Sequence, residues 1–85
     1  MQPWYLYILR CGDNSLYCGV TLDVERRLAE HRGGGARGAK YLRGRGPLRV
    51  VYTKCFSSKG EALRAEAYIR KLPRQKKEGL LDWGI

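Results

Sequence analysis

The apolar positions at the start of the chain predict a β-hairpin. Trp4–Arg10 (WYLYILR) is rich in aromatic and branched side chains, which is typical of a strand. Turn-forming residues at positions 12–15 (GDNS) separate it from a second strand at Leu16–Val20 (LYCGV), so the two strands are expected to pair. Alternation divides the first strand into one face with Leu6 and Ile8 and another with Tyr5, Tyr7 and Leu9.

Helical periodicity follows the hairpin. Thr21 and Asp23 supply N-cap chemistry for a helix that is expected to run to about His31. On a helical wheel the apolar stripe of this helix spans about 60° and comprises Val24, Leu28 and His31, with Arg27 at its edge. His31 therefore lies within the face that should pack on the sheet, and Arg27 lies beside that face.

The second half of the chain predicts one more strand and two helical segments. Pro47–Phe56 (PLRVVYTKCF) is the strand, with the proline at its start. Ser58 and Glu61 form a capping box that opens a helix to about Leu72. The apolar face of that helix comprises Ala62, Ala65, Ile69 and Leu72. Pro73 interrupts it, and a short basic segment, 74–81, follows, with Leu80, Leu81 and Trp83 as its packing residues. The order β-β-α-β-α-α predicts an α+β domain with a three-stranded antiparallel sheet.

Composition narrows the class of protein. The chain has 85 residues, and we interpret residues 1–85 as a single domain with a core at about 4–81. Hydrophobic residues make up 44% of it, which excludes intrinsic disorder. No apolar run is long enough to cross a membrane and no secretory signal is visible, so we expect a cytoplasmic protein without a membrane partner. The three cysteines, Cys11, Cys18 and Cys55, have neither disulfide-framework nor zinc-site spacing.

Charge points to a polyanionic partner. The formal net charge is +9, and nucleic acid is the commonest partner of such a domain. Positions 32–46 contain no acidic residue and hold six glycines. The candidate nucleic-acid-binding residues of this basic stretch are Arg32, Arg37, Lys40, Tyr41, Arg43 and Arg45. The arginines and the lysine can displace counterions from phosphates, and the tyrosine can stack on a base. A flexible linker, or charge kept for solubility, is the alternative interpretation.

Three helical residues have chemistry that packing does not require. Arg27 and His31 lie one turn apart beside an apolar stripe, and Glu66 lies about 40° from Ala62 on the second helix. A carboxylate can hold one Mg²⁺ or Mn²⁺, an arginine can neutralise charge on a phosphodiester, and a histidine or tyrosine can orient or deprotonate water. The structural alternatives are a Glu66–Arg70 ion pair at i,i+4 and a core hydrogen bond for His31. The chain has no phosphate-binding loop, zinc-protease helix or serine-hydrolase elbow.

These residues resemble the GIY-YIG nuclease domain. The run YLYILRCGDNSLYCGVTLDVERRLAEH carries tyrosines at 7 and 17, an arginine at 27 and a histidine at 31 in the family spacing, and EALRAEAYIRKL resembles the metal-binding helix with Glu66. The similarity covers Trp4 to about Leu81 and is greatest to the small stand-alone bacterial proteins. Other members include the incision domain of bacterial nucleotide-excision repair, a DNA-repair function, and catalytic domains of some homing endonucleases.

The resemblance implies a site and an activity. It implies a divalent-metal-dependent DNA endonuclease in which Glu66 holds a single Mg²⁺ or Mn²⁺ and Arg27 stabilises the pentacoordinate phosphate. Tyr7 or Tyr17 would position or activate the water, and His31 would orient the site or assist proton transfer. Tyr5 replaces the first glycine of the family name and Cys18 replaces the isoleucine of its second triplet.

The absence of an appended DNA-recognition domain predicts that cleavage is structure-specific, or that a protein partner supplies specificity. The alternative function is a nucleic-acid-binding module with a vestigial or partner-dependent site. A third interpretation, a protein-interaction adapter, depends only on Leu80, Leu81 and Trp83, which core packing explains as well.

Overall fold

The fold has the predicted order of elements. The computed structural model describes residues 3–33, 40–42 and 44–84, and for residues 82–84 it describes the backbone alone. The elements are β1 (Trp4–Arg10), β2 (Leu16–Thr21), α1 (Val24–Gly33), a short 3₁₀ turn (Lys40–Leu42), β3 (Arg49–Phe56), α2 (Lys59–Arg70) and α3 (Arg74–Gly84). The predicted α+β class and β-β-α-β-α-α order are confirmed, with the 3₁₀ turn as an addition.

One antiparallel sheet, in the strand order β2-β1-β3, forms the centre of the domain. In the predicted hairpin, Tyr7 pairs with Gly19, and the neighbouring Leu9 pairs with Tyr17. β1 is the middle strand because both of its faces are apolar, so that it needs a covering layer on each side. β2 is left as an edge strand.

Alternation along β1 separates two hydrophobic clusters. Leu6 and Ile8 pack on one face of the sheet with residues of β3, α2 and α3, namely Tyr52, Ile69 and Leu81. Tyr7 and Leu9 pack on the other face with Cys11, Leu42 and Leu48, and with Val24 and Leu28 of α1. The predicted faces of β1 and of α1 are therefore confirmed. Since α1 and α2 cover opposite faces, functional residues on these two helices can meet only around an edge of the sheet.

The ends of the helices follow the predicted capping chemistry. The Asp23 carboxylate accepts a hydrogen bond from the backbone N–H of Arg26, 3.1 Å away, at the start of α1. At the start of α2, the Ser58 hydroxyl accepts from the Glu61 N–H at 3.2 Å and donates to the Glu61 carboxylate at 3.3 Å. α3 extends to Gly84, beyond the predicted end at Leu81, and β3 begins at Arg49, two residues after Pro47, because proline has no N–H for the ladder.

The described part of the chain contains no helix that is both long and apolar enough to cross a membrane. Cys11, Cys18 and Cys55 are free thiols, the first buried and the last exposed.

An ion-pair cluster ties α3 to the hairpin. Arg10 at the end of β1 donates to the Glu78 carboxylate at 2.7 Å, and Arg74 donates to it at 2.8 Å. Arg74 also donates to the backbone oxygen of Asn14, which adopts the left-handed conformation of the turn with φ 70°. Hydrogen bonds from Arg10 and then Arg74 lower the pKa of Glu78 to about 2.

We expect Glu78→Gln to lower the free energy of unfolding at pH 7 and to have a much smaller effect at pH 2. A carboxylate whose pKa is lowered on folding contributes stability above its unfolded value of 4.5, and that contribution is lost as the pH falls toward about 2. Urea unfolding of the wild type and the variant at several pH values measures the difference. A difference of the same size at pH 2 and pH 7 would contradict the assignment.

Candidate active site

A buried pair of polar side chains lies between the sheet and α1. The Tyr7 hydroxyl and Nε2 of His31 are 2.9 Å apart and form a hydrogen bond. The exposed fraction is 2% for Tyr7 and 4% for His31. The apolar stripe of α1 carries His31 onto the sheet, and the alternation of β1 points Tyr7 toward it. The core hydrogen bond that was the structural alternative for His31 is therefore present, and its donor or acceptor is one of the predicted site tyrosines.

Arg27 extends this pair into a chain of hydrogen bonds. Its guanidinium donates to the Glu30 carboxylate at 2.9 Å, and it also forms a hydrogen bond with the Tyr7 hydroxyl. An arginine only donates, so the Tyr7 oxygen accepts from it and the Tyr7 proton is free to point at His31. One turn of α1 thus positions Arg27 and His31 around one phenol.

Burial keeps the members of this chain in defined protonation states. Loss of hydration raises the pKa of Tyr7 to about 12, with the opposing influence of Arg27 too small to offset it. Burial also lowers the pKa of His31, and the positive charge of Arg27 lowers it further. The hydrogen bond from Arg27 to Glu30 raises the pKa of Arg27. Near pH 7, Arg27 is therefore a cation, whereas the Tyr7 phenol and the His31 imidazole are neutral.

Gly19 makes room for the Tyr7 ring. A Cβ atom at Gly19 would lie 2.5 Å from the Tyr7 hydroxyl and 2.7 Å from the ring carbon that carries it, closer than any ordinary contact. The register explains this proximity, because Gly19 is the residue of β2 that pairs with Tyr7. The glycine of the Tyr17-Cys18-Gly19 triplet is therefore needed for the position of the tyrosine on the neighbouring strand.

We expect Gly19→Ala to displace Tyr7, break its contact with His31 and reduce any hydrolytic activity of the site strongly. Overpacking of this kind costs about 1–3 kcal/mol of unfolding free energy. The matched control is Gly79→Ala, because a Cβ there meets no atom of the described chain within 4 Å. Thermal unfolding and cleavage assays of the two variants measure both effects. Equal stability and equal cleavage activity of the two alanine variants would show that the Gly19–Tyr7 contact does not affect function.

Tyr17 lies next to this chain but closer to the surface. Its ring meets the His31 ring edge-on, with 5.5 Å between centroids, and the Tyr7 ring at 6.4 Å. On the outer side it stacks with Tyr41 at 5.8 Å, and the Arg45 guanidinium lies over the Tyr41 ring at 4.2 Å. Four of the predicted site residues, Tyr7, Tyr17, Arg27 and His31, therefore form one cluster.

The structure uses part of the predicted nucleic-acid stretch internally. Arg45 pairs with Asp13 of the hairpin turn at 2.5 Å, and Arg32 donates to the backbone oxygen of Leu48 at 2.9 Å. Asp13 lies far away in sequence, so inspection of positions 32–46 could not reveal that Arg45 has an acidic partner. Tyr41, expected to stack on a base, already stacks on Tyr17. Lys40 is exposed. Arg37 and Arg43 lie outside the described residues.

Glu66 lies around the edge of the sheet from the tyrosine cluster. It projects from α2, the helix that covers the Leu6–Ile8 face, and its carboxylate is 3.4 Å from the Arg70 guanidinium. The i,i+4 pair named as the structural alternative is thus present. The two side chains differ in exposure, since the Glu66 side chain is 14% exposed and the Arg70 side chain is 58% exposed. Burial, together with the nearby negative charge of Glu66, raises the pKa of the Cys18 thiol to about 12. Cys18 therefore stays protonated near pH 7.

The donor set around Glu66 fits a loosely held divalent ion. Among the described residues, no group of three or more histidine, cysteine or acidic side chains could hold a metal. Mg²⁺ commonly takes one or two carboxylates and completes its coordination with water and substrate phosphate. A single half-buried carboxylate is compatible with that mode of binding and not with a closed structural site.

A cleft of about 340 Å³ lies at the β2 edge of the sheet, and Tyr17 is the candidate catalytic residue among its lining. Its lining residues are Ile8, Leu16, Tyr17, Cys18, Tyr41, Ile69, Arg70 and Lys77. β2 is an edge strand, so Tyr17 on one of its faces and Cys18 on the other reach the same opening. Glu30, Arg70 and Lys77 are not among the site residues predicted from the sequence, because their relevance depends on which elements meet in space.

The structure is a small α+β fold with an arginine–tyrosine–histidine cluster on one face of the sheet and a helical glutamate around the edge of β2. The chain belongs to the GIY-YIG family, since residues 3–78 match the family model of the GIY-YIG catalytic domain. This finding confirms the resemblance predicted from the sequence.

Similar proteins are small bacterial members of this family. The chain is 49% identical over 81 residues to a UPF0213 protein of Cronobacter sakazakii, covering 95% of this chain and 83% of that protein. It is 45% identical over 84 residues to the UPF0213 protein YhbQ of Escherichia coli K12, covering 99% and 82%.

Two solution NMR structures share the fold. The UPF0213 protein BH0048 of Bacillus halodurans superposes with a TM-score of 0.61 at 51% identity, covering 94% of this chain and 83% of that one. The protein EF2693 of E. faecalis gives a TM-score of 0.63 at 41% identity, covering 94% and 84%.

Proposed function

We propose that the protein is a divalent-metal-dependent endonuclease that hydrolyses DNA phosphodiester bonds and selects them by DNA structure. The observation that carries this proposal is the arrangement around β2. The hydrogen-bonded series Arg27–Tyr7–His31 and the Tyr17 ring lie on one face of this edge strand, and Glu66 lies on the other face, near Cys18. Tyr17 and Cys18 both line the cleft at this edge. Membership of the GIY-YIG family supports a nuclease activity.

Charge neutralisation is divided between two residues in this proposal. Glu66 would hold one Mg²⁺ or Mn²⁺, which when bound supplies a positive charge against the phosphate oxygens. Arg27 would stabilise the charge that develops on the pentacoordinate phosphate. Its salt bridge to Glu30 holds the guanidinium beside the Tyr7 hydroxyl, so little reorganisation is needed during the reaction.

The two tyrosines have different exposure, which favours different roles. Tyr7 is almost fully buried, and burial raises its pKa to about 12, so a phenolate is disfavoured and contact with a substrate water is obstructed. Tyr17 lines the cleft. We therefore assign the water-orienting contact to Tyr17 and a positioning role to Tyr7. His31 is neutral near pH 7 because its pKa is lowered, and the unprotonated ring nitrogen accepts from the Tyr7 hydroxyl, so His31 has an orienting role in this proposal.

The nucleic-acid surface in this proposal combines the basic stretch with the rim of the cleft. The net charge of +9 favours a polyanion, and Lys40, Arg37 and Arg43 remain candidates for phosphate contacts. Arg32, Tyr41 and Arg45 would contribute mainly by shaping the surface, since each has a partner within the protein. A protein partner that supplies specificity is compatible with this surface.

The proposal is tested with labelled single-stranded, duplex, flap and branched DNAs, and with RNA of matching sequence, incubated with Mg²⁺, Mn²⁺ or EDTA. The expected result is cleavage of one or more DNA structures with either metal and none with EDTA. Cleavage that persists in EDTA would contradict the metal requirement, and preferential cleavage of RNA would contradict the choice of DNA.

The second candidate function is a nucleic-acid-binding module without turnover. The burial of Tyr7 and His31 favours it, because a buried hydrogen-bonded pair is also what a purely structural core feature requires. This candidate predicts salt-sensitive binding with no cleavage under any metal. Titration of binding against salt concentration, beside the cleavage panel, separates the two functions.

A further inference from the structure

The position of Arg70 bears on how a metal ion reaches Glu66. The Arg70 guanidinium lies 3.4 Å from one Glu66 carboxylate oxygen and 3.5 Å from the backbone oxygen of Cys18. Both distances are long for hydrogen bonds that involve a guanidinium. With its side chain 58% exposed, Arg70 is held loosely over a carboxylate that is itself only 14% exposed.

Arg70 also belongs to the cleft. Together with Lys77 it supplies the cationic part of a lining that is otherwise apolar or aromatic. A phosphate group at this rim would offer Arg70 two oxygens in the bidentate geometry that a guanidinium prefers. The same side chain can therefore bind either the Glu66 carboxylate or a phosphate of the substrate backbone.

Binding of a divalent ion to the Glu66 carboxylate while Arg70 remains paired with it costs free energy, because the two cations repel each other at this separation. Exposed ion pairs are weak, so the exchange of partners needs only a modest gain. We infer that Arg70 covers Glu66 in the free protein and moves to a phosphate of the substrate when nucleic acid binds. Nucleic acid and the divalent ion would then bind cooperatively. This inference rests on the proposed function. Linkage then requires that each ligand raises the affinity for the other by the same factor.

Mn²⁺ binding tests this inference without any measurement of turnover. Free Mn²⁺ is followed by electron paramagnetic resonance during titration of the wild type, Arg70→Gln, Lys71→Gln and Glu66→Gln. Arg70→Gln is expected to bind Mn²⁺ about two- to fivefold more tightly than the wild type, as the loss of a weak competing ion pair implies. Lys71→Gln removes the same charge from the exposed neighbouring position, about 100° further around the helix, and is expected to change the affinity less than the removal of Arg70.

A second titration includes a phosphorothioate oligonucleotide, which resists hydrolysis. The wild type is expected to bind Mn²⁺ more tightly with the oligonucleotide than without it, and the advantage of Arg70→Gln is expected to disappear. An unchanged or weaker Mn²⁺ affinity of Arg70→Gln in the free protein would overturn the inference. So would an oligonucleotide effect of equal size in the wild type and Arg70→Gln.

Glu66→Gln distinguishes failure of this inference from failure of the proposed function. If the wild type shows no Glu66-dependent Mn²⁺ binding even with the oligonucleotide, the proposed metal site is wrong and the inference is wrong with it. If binding depends on Glu66 but not on Arg70, only the exchange of partners is wrong, and the metal-dependent function stands.

Discussion

Glu66→Gln is expected to reduce metal-dependent DNA cleavage about 10³-fold while leaving the protein folded, since a metal ion contributes several kcal/mol of charge stabilisation in such reactions. The amide keeps the volume of the carboxylate but removes the negative charge that would hold Mg²⁺ or Mn²⁺. The only ion pair lost among the described residues is the one with the exposed Arg70, so the unfolding free energy should change by less than about 1 kcal/mol. Cleavage time courses and urea unfolding measure the two effects.

Glu61→Gln is the matched control for this variant. Glu61 is an exposed acid on the same helix, and glutamine preserves the capping box with Ser58. Its cleavage rate should remain within about twofold of the wild type, as is usual for surface changes away from a site. Substantial cleavage by Glu66→Gln, or an equal loss in Glu61→Gln, would show that α2 does not supply a specific metal ligand.

Arg27→Ala is expected to lower the cleavage rate about 10²- to 10³-fold, the usual cost of removing one donor that stabilises a developing oxyanion. Nucleic-acid affinity should fall much less, because Arg27 is one of 17 basic residues and its proposed role is in the transition state. Arg27→Lys should recover part of the rate, since it restores the charge but not the guanidinium geometry that reaches both Glu30 and Tyr7. Single-turnover kinetics and binding titrations separate the two quantities.

The neighbouring arginine is a control that shares a partner with Arg27. Arg26 pairs with the same Glu30 at 3.6 Å, but its side chain is 70% exposed and carries no predicted role. Arg26→Ala removes the same charge from the same helix, so its effect on cleavage should stay within about twofold. Equal losses in Arg26→Ala and Arg27→Ala would indicate that α1 contributes only general positive charge.

Tyr7 and Tyr17 differ in their surroundings, so substitutions of the two tyrosines are expected to have different effects. The resemblance leaves open which of them activates water. The structure distinguishes them by burial and by contact with the cleft, and it connects Tyr7 to Arg27 and His31. A phenylalanine at position 7 would therefore alter the orientation of the histidine, whereas a phenylalanine at position 17 would remove a group that lines the cleft.

The sequence by itself determined the elements and their faces. Alternation in β1, the apolar stripe of α1 and the capping box before α2 are local patterns, and each depends on residues only two to four positions apart. For this reason the hairpin, the order of elements, the burial of His31 and the Glu66–Arg70 pair could all be predicted from neighbouring positions. Element ends differed by a few residues, where prolines and frayed helical turns leave the boundary to tertiary packing.

Only the tertiary structure decided what these faces bring together. The pairing of Arg45 with Asp13 and the stacking of Tyr41 on Tyr17 join segments that are distant in the chain, so the charge pattern of positions 32–46 does not reveal these internal partners. α1 and α2 likewise lie on opposite faces of the sheet because both faces of β1 are apolar and are buried by packing. Sequence patterns fix which side of an element is apolar, but the partner that buries it depends on the global packing of the sheet, and that packing places Glu66 around the edge of β2 from the tyrosines.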